Sequence, residues 1–376
     1  MTAVRVLAPY FPPAVAGGGP IRTLDALTRA APSRMHVEVL TRDRDLQARV
    51  RLDVPRSPVR DAHRTVHFLD TGGPTGTLRL ARAIRRGPRP DLTYANSVFD
   101  PLFGILPSLL ERCATPRGGR LLVAPRGEFD PGALALQQAK KHRYLTLARH
   151  AGLFRRTVWH ASTELEAANI RAVVGDDAVV VVRENETMLP AVARRSPVRV
   201  AGRLELVTVG RISPKKRTHL LLEALAEVSV PVRLVVVGPV DDQAYGRKCE
   251  ALARALPGHV RVEFRGTRTH DEVLASIEDA HAMVTATAGE NFGHTIVEAM
   301  SVGRPVLLPD TTPWSGRVAA GGGEVVPDDG WADVLEQLAR EDEVSLTRRA
   351  TDAADAYDAW RSARPAPHVF ELALGL

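Results

Sequence analysis

The sequence predicts an α/β protein of two domains, each a parallel sheet with helices on both faces. Two observations carry this. At 376 residues the chain exceeds one comfortable hydrophobic core, so two domains are the natural expectation. Along it, short apolar runs alternate with helix-like segments, the pattern of strands laid parallel by crossing helices. In such sheets ligands sit at the carboxyl ends of strands, so the residues just past each apolar run are the binding candidates.

Composition narrows the class. Hydrophobic residues make up 44% and charged residues 25%, as in a soluble globular protein. Cys113 and Cys249 are far apart and lack metal-ligand spacing, which suggests a reduced, cytoplasmic setting. The amino terminus reads as a first strand and not as a signal peptide, and no apolar run approaches the ~18 residues of a membrane span. The net charge of +6 would suit nucleic acid, anionic lipid or phosphorylated substrates. However, 45 of the 50 basic residues are Arg, so the excess alone decides little, and no nucleic-acid partner is expected. Four of the five lysines lie in two pairs, Lys140–Lys141 and Lys215–Lys216, and these are candidate phosphate contacts.

In the first half, residues 4–8 form a strand, followed by Gly17, Gly18, Gly19, Pro20, Ile21 and Arg22 and a helix with Leu24, Leu27 and Ala30 on one side. Strand, glycine loop and helix allow a backbone to approach a phosphate, although the spacing is not G-x-G-x-x-G and a surface loop fits as well. Residues 37–41 and 66–69 read as strands, and 42–64, rich in Arg, Asp and Pro, as an exposed loop. A helix at 78–84, a strand at 92–95, a helix at 102–112 and a strand at 121–124 continue the alternation. Arg126, Glu128 and Asp130 follow that last strand at once, either as a polar site or as a rim ion pair.

Residues 134–156 read as one basic amphipathic helix, with Lys140, Lys141, His142, Arg143, Arg149, Arg155 and Arg156 among Leu145, Ala148, Leu153 and Phe154. Such a face suits an anionic membrane or a phosphate-bearing acceptor, or is simply solvated. Thr163 and Glu166 have the spacing of a capping box for a helix over 164–173, and His160 precedes it at a strand end from which it could reach a binding face. Residues 179–182 read as a buried-type strand, and 190–203 has linker composition, dividing a domain 1–190 from a domain 200–355.

The second half opens with a strand at 206–210, then Arg211 and Lys216, then a helix at 220–228. Two cations five residues apart on a strand-end loop suit a diphosphate, Arg as a fork and Lys as a point charge. A strand at 232–238, a helix at 245–256, a strand at 261–265 and a helix at 271–280 with a Thr269–Glu272 capping box follow. The organising stretch is 283–313: an apolar run, a loop with Gly289, Glu290, Asn291 and Gly293, a helix, and a second apolar run at 305–308. Gly293 permits close backbone approach, and a helix N-terminus carries ~+0.5 of an elementary charge, which favours a phosphate. Glu290 and Glu298 are eight residues apart, with Glu298 off the apolar stripe of Ile296, Val297 and Met300. Carboxylates beside a phosphate repel it, so these suit the hydroxyls of a sugar or ribose, unless Glu298 is merely solvated and Glu290 complements the helix dipole.

The run Glu290 to Glu298, continued by Ala299, Met300, Gly303, Pro305 and Val306, resembles the E-x7-E motif of family 4 glycosyltransferases, a retaining group with the GT-B fold. Gly210, Arg211, Ile212 and Lys216 are similar to that family's G-R-[LI]-x-x-x-K element. The resemblance implies two Rossmann-like domains facing across a cleft, a nucleotide-sugar donor in the second, an acceptor in the first, and a tail, 356–376, that crosses back. It implies that Arg211 and Lys216 neutralise the diphosphate. Glu290 would hold sugar hydroxyls and Glu298 the ribose, with Asn291, Phe292, Gly293, His294 and Thr295 lining the donor. Arg265 and Gly266 would hold the base through backbone groups, and Gly18 and Gly19 would meet the donor from the first domain.

On the acceptor side stand Arg22, Arg126, Glu128 and His160, the last resembling an H-x-[ST]-x-x-E element. The segment from Pro125 to Lys141 is similar to members that build bacterial polysaccharide, with Ala124 in place of serine. Arg126 occupies the region where some members carry a histidine, and Glu184-Asn185-Glu186-Thr187 stands where P-N-G-[VI] is frequent. The implied reaction is retaining hexosyl transfer from a UDP- or GDP-linked sugar to a glycan, lipid-linked or small-molecule acceptor. No metal is expected, since Asp43-Arg44-Asp45 reads as an exposed loop and cations and helix dipoles can do a metal's electrostatic work. The location would be cytoplasmic, with peripheral contact at an anionic membrane face. A sugar-nucleotide epimerase and a non-catalytic nucleotide-sugar sensor are the rival classes.

Overall fold

The apolar runs become two separate sheets. The structure, a computed structural model, describes residues 1–15, 18–46, 51–73, 75–86, 88–112, 119–135, 138–198, 202–363 and 367–375. Gly17, Cys113 and parts of the 134–156 and 190–203 segments lie outside them. The chain divides into unit 1, Met1–Met188 with Ala366–Leu376, and unit 2, Leu189–Pro365.

Unit 1 runs β1 (Thr2–Ala8), α1 (Gly19–Arg29), β2 (Met35–Arg42), β3 (Val59–Asp61), β4 (Arg64–Leu69), α2 (Gly76–Arg85) and β5 (Leu92–Ala95). A π-helical turn, Pro101–Ile105, leads into α3 (Leu106–Arg112), then β6 (Arg120–Val123), α4 (Pro131–Ala135), α5 (Gln138–His150), β7 (Thr157–Ala161), α6 (Glu164–Val174) and β8 (Val179–Val182). The strand order is β3-β4-β2-β1-β5-β6-β7-β8, parallel throughout except for the antiparallel β3–β4 pair. Central strands are apolar on both faces because both are covered: Val4 and Val6 pack one way and Leu7 the other.

Three expectations are corrected here. The 42–64 segment contains a strand, β3, whose residues are all exposed at the sheet edge, so no apolar alternation betrays it. Helix in the 134–156 segment stops at His150, the end of α5, before Gly152 adopts φ +64 as a glycine following a helix end does. β8 is an edge strand with Val179 exposed, less buried than four consecutive valines suggest.

The last described residues also pack on unit 1. In α14 (Val369–Leu374) Phe370 is buried edge-on against Tyr94, ring centroids 5.6 Å apart. Arg120 donates to the Ala373 carbonyl at 2.7 Å, His368 Nε2 lies 3.1 Å from the Leu27 carbonyl, and Arg34 pairs with Glu371.

Unit 2 runs β9 (Leu204–Val209), a 3₁₀ turn (Pro214–Lys216), α7 (Thr218–Leu225), β10 (Val232–Val237), α8 (Gln243–Arg254), β11 (Val260–Gly266), α9 (His270–Glu278) and β12 (Ala282–Val284). It continues with α10 (His294–Ser301), β13 (Val306–Leu308), α11 (Ser315–Ala320), β14 (Glu324–Val325), α12 (Trp331–Ala339) and α13 (Glu343–Ser362). All pairs in the order β11-β10-β9-β12-β13-β14 are parallel. One face of this sheet packs Leu206, Leu234 and Val284 on Leu222 and Trp331; the other packs Val207, Val235 and Met283 on Ile296, Met300 and Trp314.

The order reverses at β9, with β10 on one side and β12 on the other. At such a switch point the loops leaving the two neighbouring strands open away from each other and leave a crevice for a ligand. The strand ends there are fixed by a glycine contact: Gly238, at φ +144, lies so close that a Cβ would stand 2.0 Å from the Gly210 carbonyl oxygen. Gly238→Ala should therefore destabilise unit 2 by about 3 kcal/mol or more in urea unfolding. Gly258→Ala, where a Cβ meets nothing within 4 Å, should stay within about 0.5 kcal/mol of the parent.

Candidate functional site

Gly210 ends β9 and the chain turns outward through Arg211 to the 3₁₀ turn that carries Lys216. Arg211 is exposed and its Nη1 meets Asp241 at 3.1 Å. Lys216 folds back over Gly210, where a Cβ would stand 3.2 Å from Lys216 Cε, and donates to Oε1 of Glu290. The pair is held in from solvent, with side chains 22% and 15% exposed. The loops bearing them are joined by a backbone bond from Ala288 N to the Lys215 carbonyl, 2.8 Å. The two motifs that lie 74 residues apart in the chain thus meet at one ion pair.

Beyond Glu290 the loop enters α10. Its N-cap, Gly293, has φ +84, and a Cβ there would come within 2.8 Å of Ile296 Cδ1 and 3.1 Å of Trp314 Cδ1, so glycine is required twice over. Phe292 is buried edge-on against Trp314, whose Nε1 donates to the Phe292 carbonyl, and the His294 ring stands 4.8 Å from that of Phe292. No side chain caps α10 and its first turn, which includes Thr295, holds no acid. The positive end of the helix is thus met by no side-chain cap and no first-turn acid. Asn291 precedes this end in the same loop.

Glu298 is not a solvated helix residue: it is 3% exposed, enclosed because α10 packs against both the sheet and α9. Its Oε1 lies 4.0 Å from Nδ1 of His270, a residue the sequence presents only as the start of a helix. At the end of β11, Arg265 gives its Nε to Glu263 at 2.9 Å and its Nη1 to Ser276 at 3.3 Å. That commitment ties its side chain to residues of unit 2 itself. Gly266, at φ +64, has open space where a Cβ would be.

In unit 1, Gly18 stands at φ +63 before α1, with Gly19 the first helical residue and Arg22 half-buried one turn on. Arg126 adopts φ +54 and spreads its donors over neutral oxygens: Asn96 Oδ1 at 3.0 Å, Tyr94 Oη at 2.5 Å, and Asn185 Oδ1. The expected rim pair with Glu128 or Asp130 does not form. Glu128 instead accepts from Ser97 Oγ at 2.7 Å and Val98 N at 2.6 Å, and burial pushes its carboxyl up. Asp130 accepts from the Gly132 N–H at the start of α4.

His160 is corrected from an acceptor contact to an interior residue. It is 1% exposed, its Nδ1 lies 3.2 Å from Tyr94 Oη, and its Nε2 lies 2.8 Å from the Arg183 carbonyl. A carbonyl only accepts, so Nε2 carries the proton. Nδ1 then accepts from Tyr94, whose oxygen is donated to by Arg126. Burial and the nearby Arg126 charge hold His160 well below the usual histidine range, and burial pushes Tyr94 up to about 12.

Glu166 completes only half of the expected capping box. Thr163 accepts from its N–H, while its carboxylate accepts from Ser162 N at 2.8 Å and Gly127 N at 2.8 Å. Asn185, in a segment that matched no pattern, is the missed member of this network. Asp43 is buried and paired with Arg51 at 3.1 Å, not exposed as its loop suggested.

Residues 192–350 match the family of glycosyl transferases group 1. That match lies within unit 2. A D-inositol 3-phosphate glycosyltransferase of Rhodococcus erythropolis is 31% identical over 149 residues, 36% of this chain and 34% of that enzyme, so the match spans about a third of the relative's length. HepE of Anabaena, solved with UDP and glucose, superposes with a TM-score of 0.72 at 20% identity, over 97% of this chain and 95% of that one. Sucrose-phosphate synthase of Thermosynechococcus elongatus gives a TM-score of 0.73 at 18% identity, over 96% and 94%. These likenesses show the GT-B fold. Within the matched residues the Lys216–Glu290 pair and the Gly293 cap lie at the β9–β12 switch point, with the Gly210–Gly238 contact on the β10 side of β9.

The neutral His160 has a pH consequence. An unfolded histidine protonates near 6.5 whereas the folded one resists, so protons favour the unfolded state and stability falls as pH drops below about 6.5. His368, also held low by burial, adds in the same direction. Urea midpoints of the parent should fall between pH 7.5 and 5.5, by up to about 1.4 kcal/mol per unit for each histidine. His160→Gln should lose a large part of that slope, and an unchanged slope would mean that His160 is charged in the folded protein.

Proposed function

We propose that the chain transfers a hexose from a nucleotide sugar to an acceptor hydroxyl, with retention of anomeric configuration and without a metal. The observation that carries this reading is the meeting of Lys216 and Glu290 at the switch point, beside Arg211 and the uncapped end of α10. A diphosphate needs cations and N–H donors, a sugar needs hydroxyl acceptors, and the arrangement offers both within one pair of loops. The relatives support the donor class, since HepE was solved with UDP and glucose and the curated relative is named a glycosyltransferase.

In this reading Arg211 and Lys216 neutralise the leaving diphosphate, doing the electrostatic work asked of a metal elsewhere. Glu290 accepts from sugar hydroxyls and Glu298 from the ribose, fixing the anomeric carbon. The acceptor oxygen forms its bond to that carbon on the face from which the phosphate oxygen leaves, and the acceptor proton passes to the departing phosphate. Backbone at Arg265 and Gly266 would hold the base. Unit 1 would take the acceptor, with Arg22 as the candidate contact, Gly18 and Gly19 meeting the donor, and Arg126 and Glu128 shaping its strand ends from within.

Calorimetric titration with UDP and GDP in the presence of a chelator should show binding of one of them, lost in Arg211→Ala. Glu290→Ala should bind that nucleotide at least as tightly as the parent yet lose at least about 10²-fold in transfer. Transfer at the parent rate would remove Glu290 from the mechanism.

The basic 138–156 stretch supports a site of action at an anionic membrane surface. It holds six Lys and Arg residues and no Asp or Glu, and Leu147 on α5 is 69% exposed between the outward-facing Arg143 and His150. Among the described residues no helix is long and apolar enough to cross a membrane. Co-sedimentation should therefore be strong with anionic vesicles, weak with neutral ones, and reduced about tenfold or more in a Lys140→Glu, Arg143→Glu, Leu147→Ser variant. Equal binding to both vesicle types would reject the membrane role.

A further inference from the structure

We propose that Arg217 is a positioning residue that sets the spacing between Lys216 and Glu290, a role that rests on the donor-site reading above. Arg217 follows the 3₁₀ turn and caps α7 with φ +48 and ψ +35, a left-handed conformation that side-chain-bearing residues adopt at a cost of about 1–2 kcal/mol. Glycine would adopt it freely, so the arginine must be there for its side chain. Its Nε donates to the Ala286 carbonyl at 2.6 Å, its Nη2 to the Thr287 carbonyl at 3.3 Å, and its Nη1 meets Asp328 at 2.6 Å. The side chain is only 20% exposed.

Those partners lie on other loops. Ala286 and Thr287 are buried residues just past β12, shortly before Glu290, and Asp328 follows β14. A buried carbonyl without a donor is costly, and here one planar fork supplies two. The Thr287 carbonyl also takes a bond from Thr311 at 3.0 Å, past β13. One guanidinium, adjacent in sequence to Lys216, thus ties the turn after β9 to the loops after β12 and β14. The Ala288 N to Lys215 carbonyl bond runs in the opposite sense between the first two. Crosslinked from both sides, the Lys216 and Glu290 backbones cannot slide past one another.

Removing the fork leaves both donor-contacting side chains in place but frees their separation. Misplacement by an ångström affects the chemical step far more than nucleotide binding, which Arg211 and Lys216 provide by charge alone. Arg217→Gly isolates the effect, because it relieves the left-handed strain while deleting the fork. The expected result is an unfolding midpoint no lower than that of Arg217→Ala and nucleotide affinity within about threefold of the parent, but kcat reduced at least about thirtyfold with KM little changed. Arg217→Lys, which keeps charge and one reach, should recover part of the kcat, and Asp328→Asn should lose several-fold.

If Arg217→Gly keeps kcat within twofold in an active parent, the positioning role is wrong and the donor reading stands. If nucleotide binding and stability fall as far as kcat, Arg217 is only a structural tie and the proposal fails. A parent that neither binds UDP or GDP nor transfers overturns both readings.

Discussion

Unit 2 depends on one constraint, the reversal of strand order at β9. The loop after β9 and the loop after β12 leave adjacent strands but serve helices on opposite faces, and at that divergence backbone groups lack neighbours from the sheet. Every special feature of the unit answers this. Gly210 and Gly238 let the ends of β9 and β10 approach, and Gly293 turns the chain into α10 under Trp314. The Lys216–Glu290 pair closes the gap with charge, and the Arg217 fork satisfies the carbonyls that the divergence exposes. The divergence is thus bridged by glycine contacts and ion pairs in place of apolar packing.

Unit 1 ties several of its strand ends together through one arginine and neutral polar groups. At the ends of β5, β6 and β7 one arginine, two asparagines, a tyrosine and a histidine form a chain in which each donor has one acceptor. Arg126 accepts the left-handed conformation to reach it, as Arg217 does in unit 2. Burial, helped by the Arg126 charge, keeps His160 neutral, and burial outweighs the opposing pull of Arg126 to keep the tyrosine proton in place. The helix α14 closes this network by laying Phe370 on Tyr94.

These differences explain what the sequence could show. Strands buried on both faces are continuous apolar runs, and Glu290, Glu298, Arg211 and Lys216 fall at fixed spacings within short segments, so they were legible. β3 was not, because an exposed edge strand has no apolar face to mark it. The burial of Glu298 was hidden because helical spacing counts only the helix's own stripe, and α9 brings His270 over the other side. Asp241, Asp328 and Asn185 gave no local signal, since each acts through a contact made only when distant strand ends come together. His160 looked like a ligand-facing strand-end residue for the same reason, its partners Tyr94 and the Arg183 carbonyl lying 66 and 23 residues away in the chain.

The resting Lys216–Glu290 pair also bears on how the proposed donor is told apart from its product. Both groups are well shielded, so parting them leaves each charge in need of a partner, and an unmet one costs about 1–3 kcal/mol. A free nucleoside diphosphate can take Lys216 but offers Glu290 nothing and adds negative charge beside it. The intact nucleotide sugar offers phosphate oxygens to the lysine and hydroxyls to the glutamate together. Exchange of one ion pair for two charge-assisted contacts is then near balance only for the complete donor. After transfer the sugar leaves with the acceptor, Glu290 loses its hydroxyls, and re-forming the internal pair helps expel the diphosphate. The ion pair that holds the empty site together is, in this account, the device that favours substrate over product.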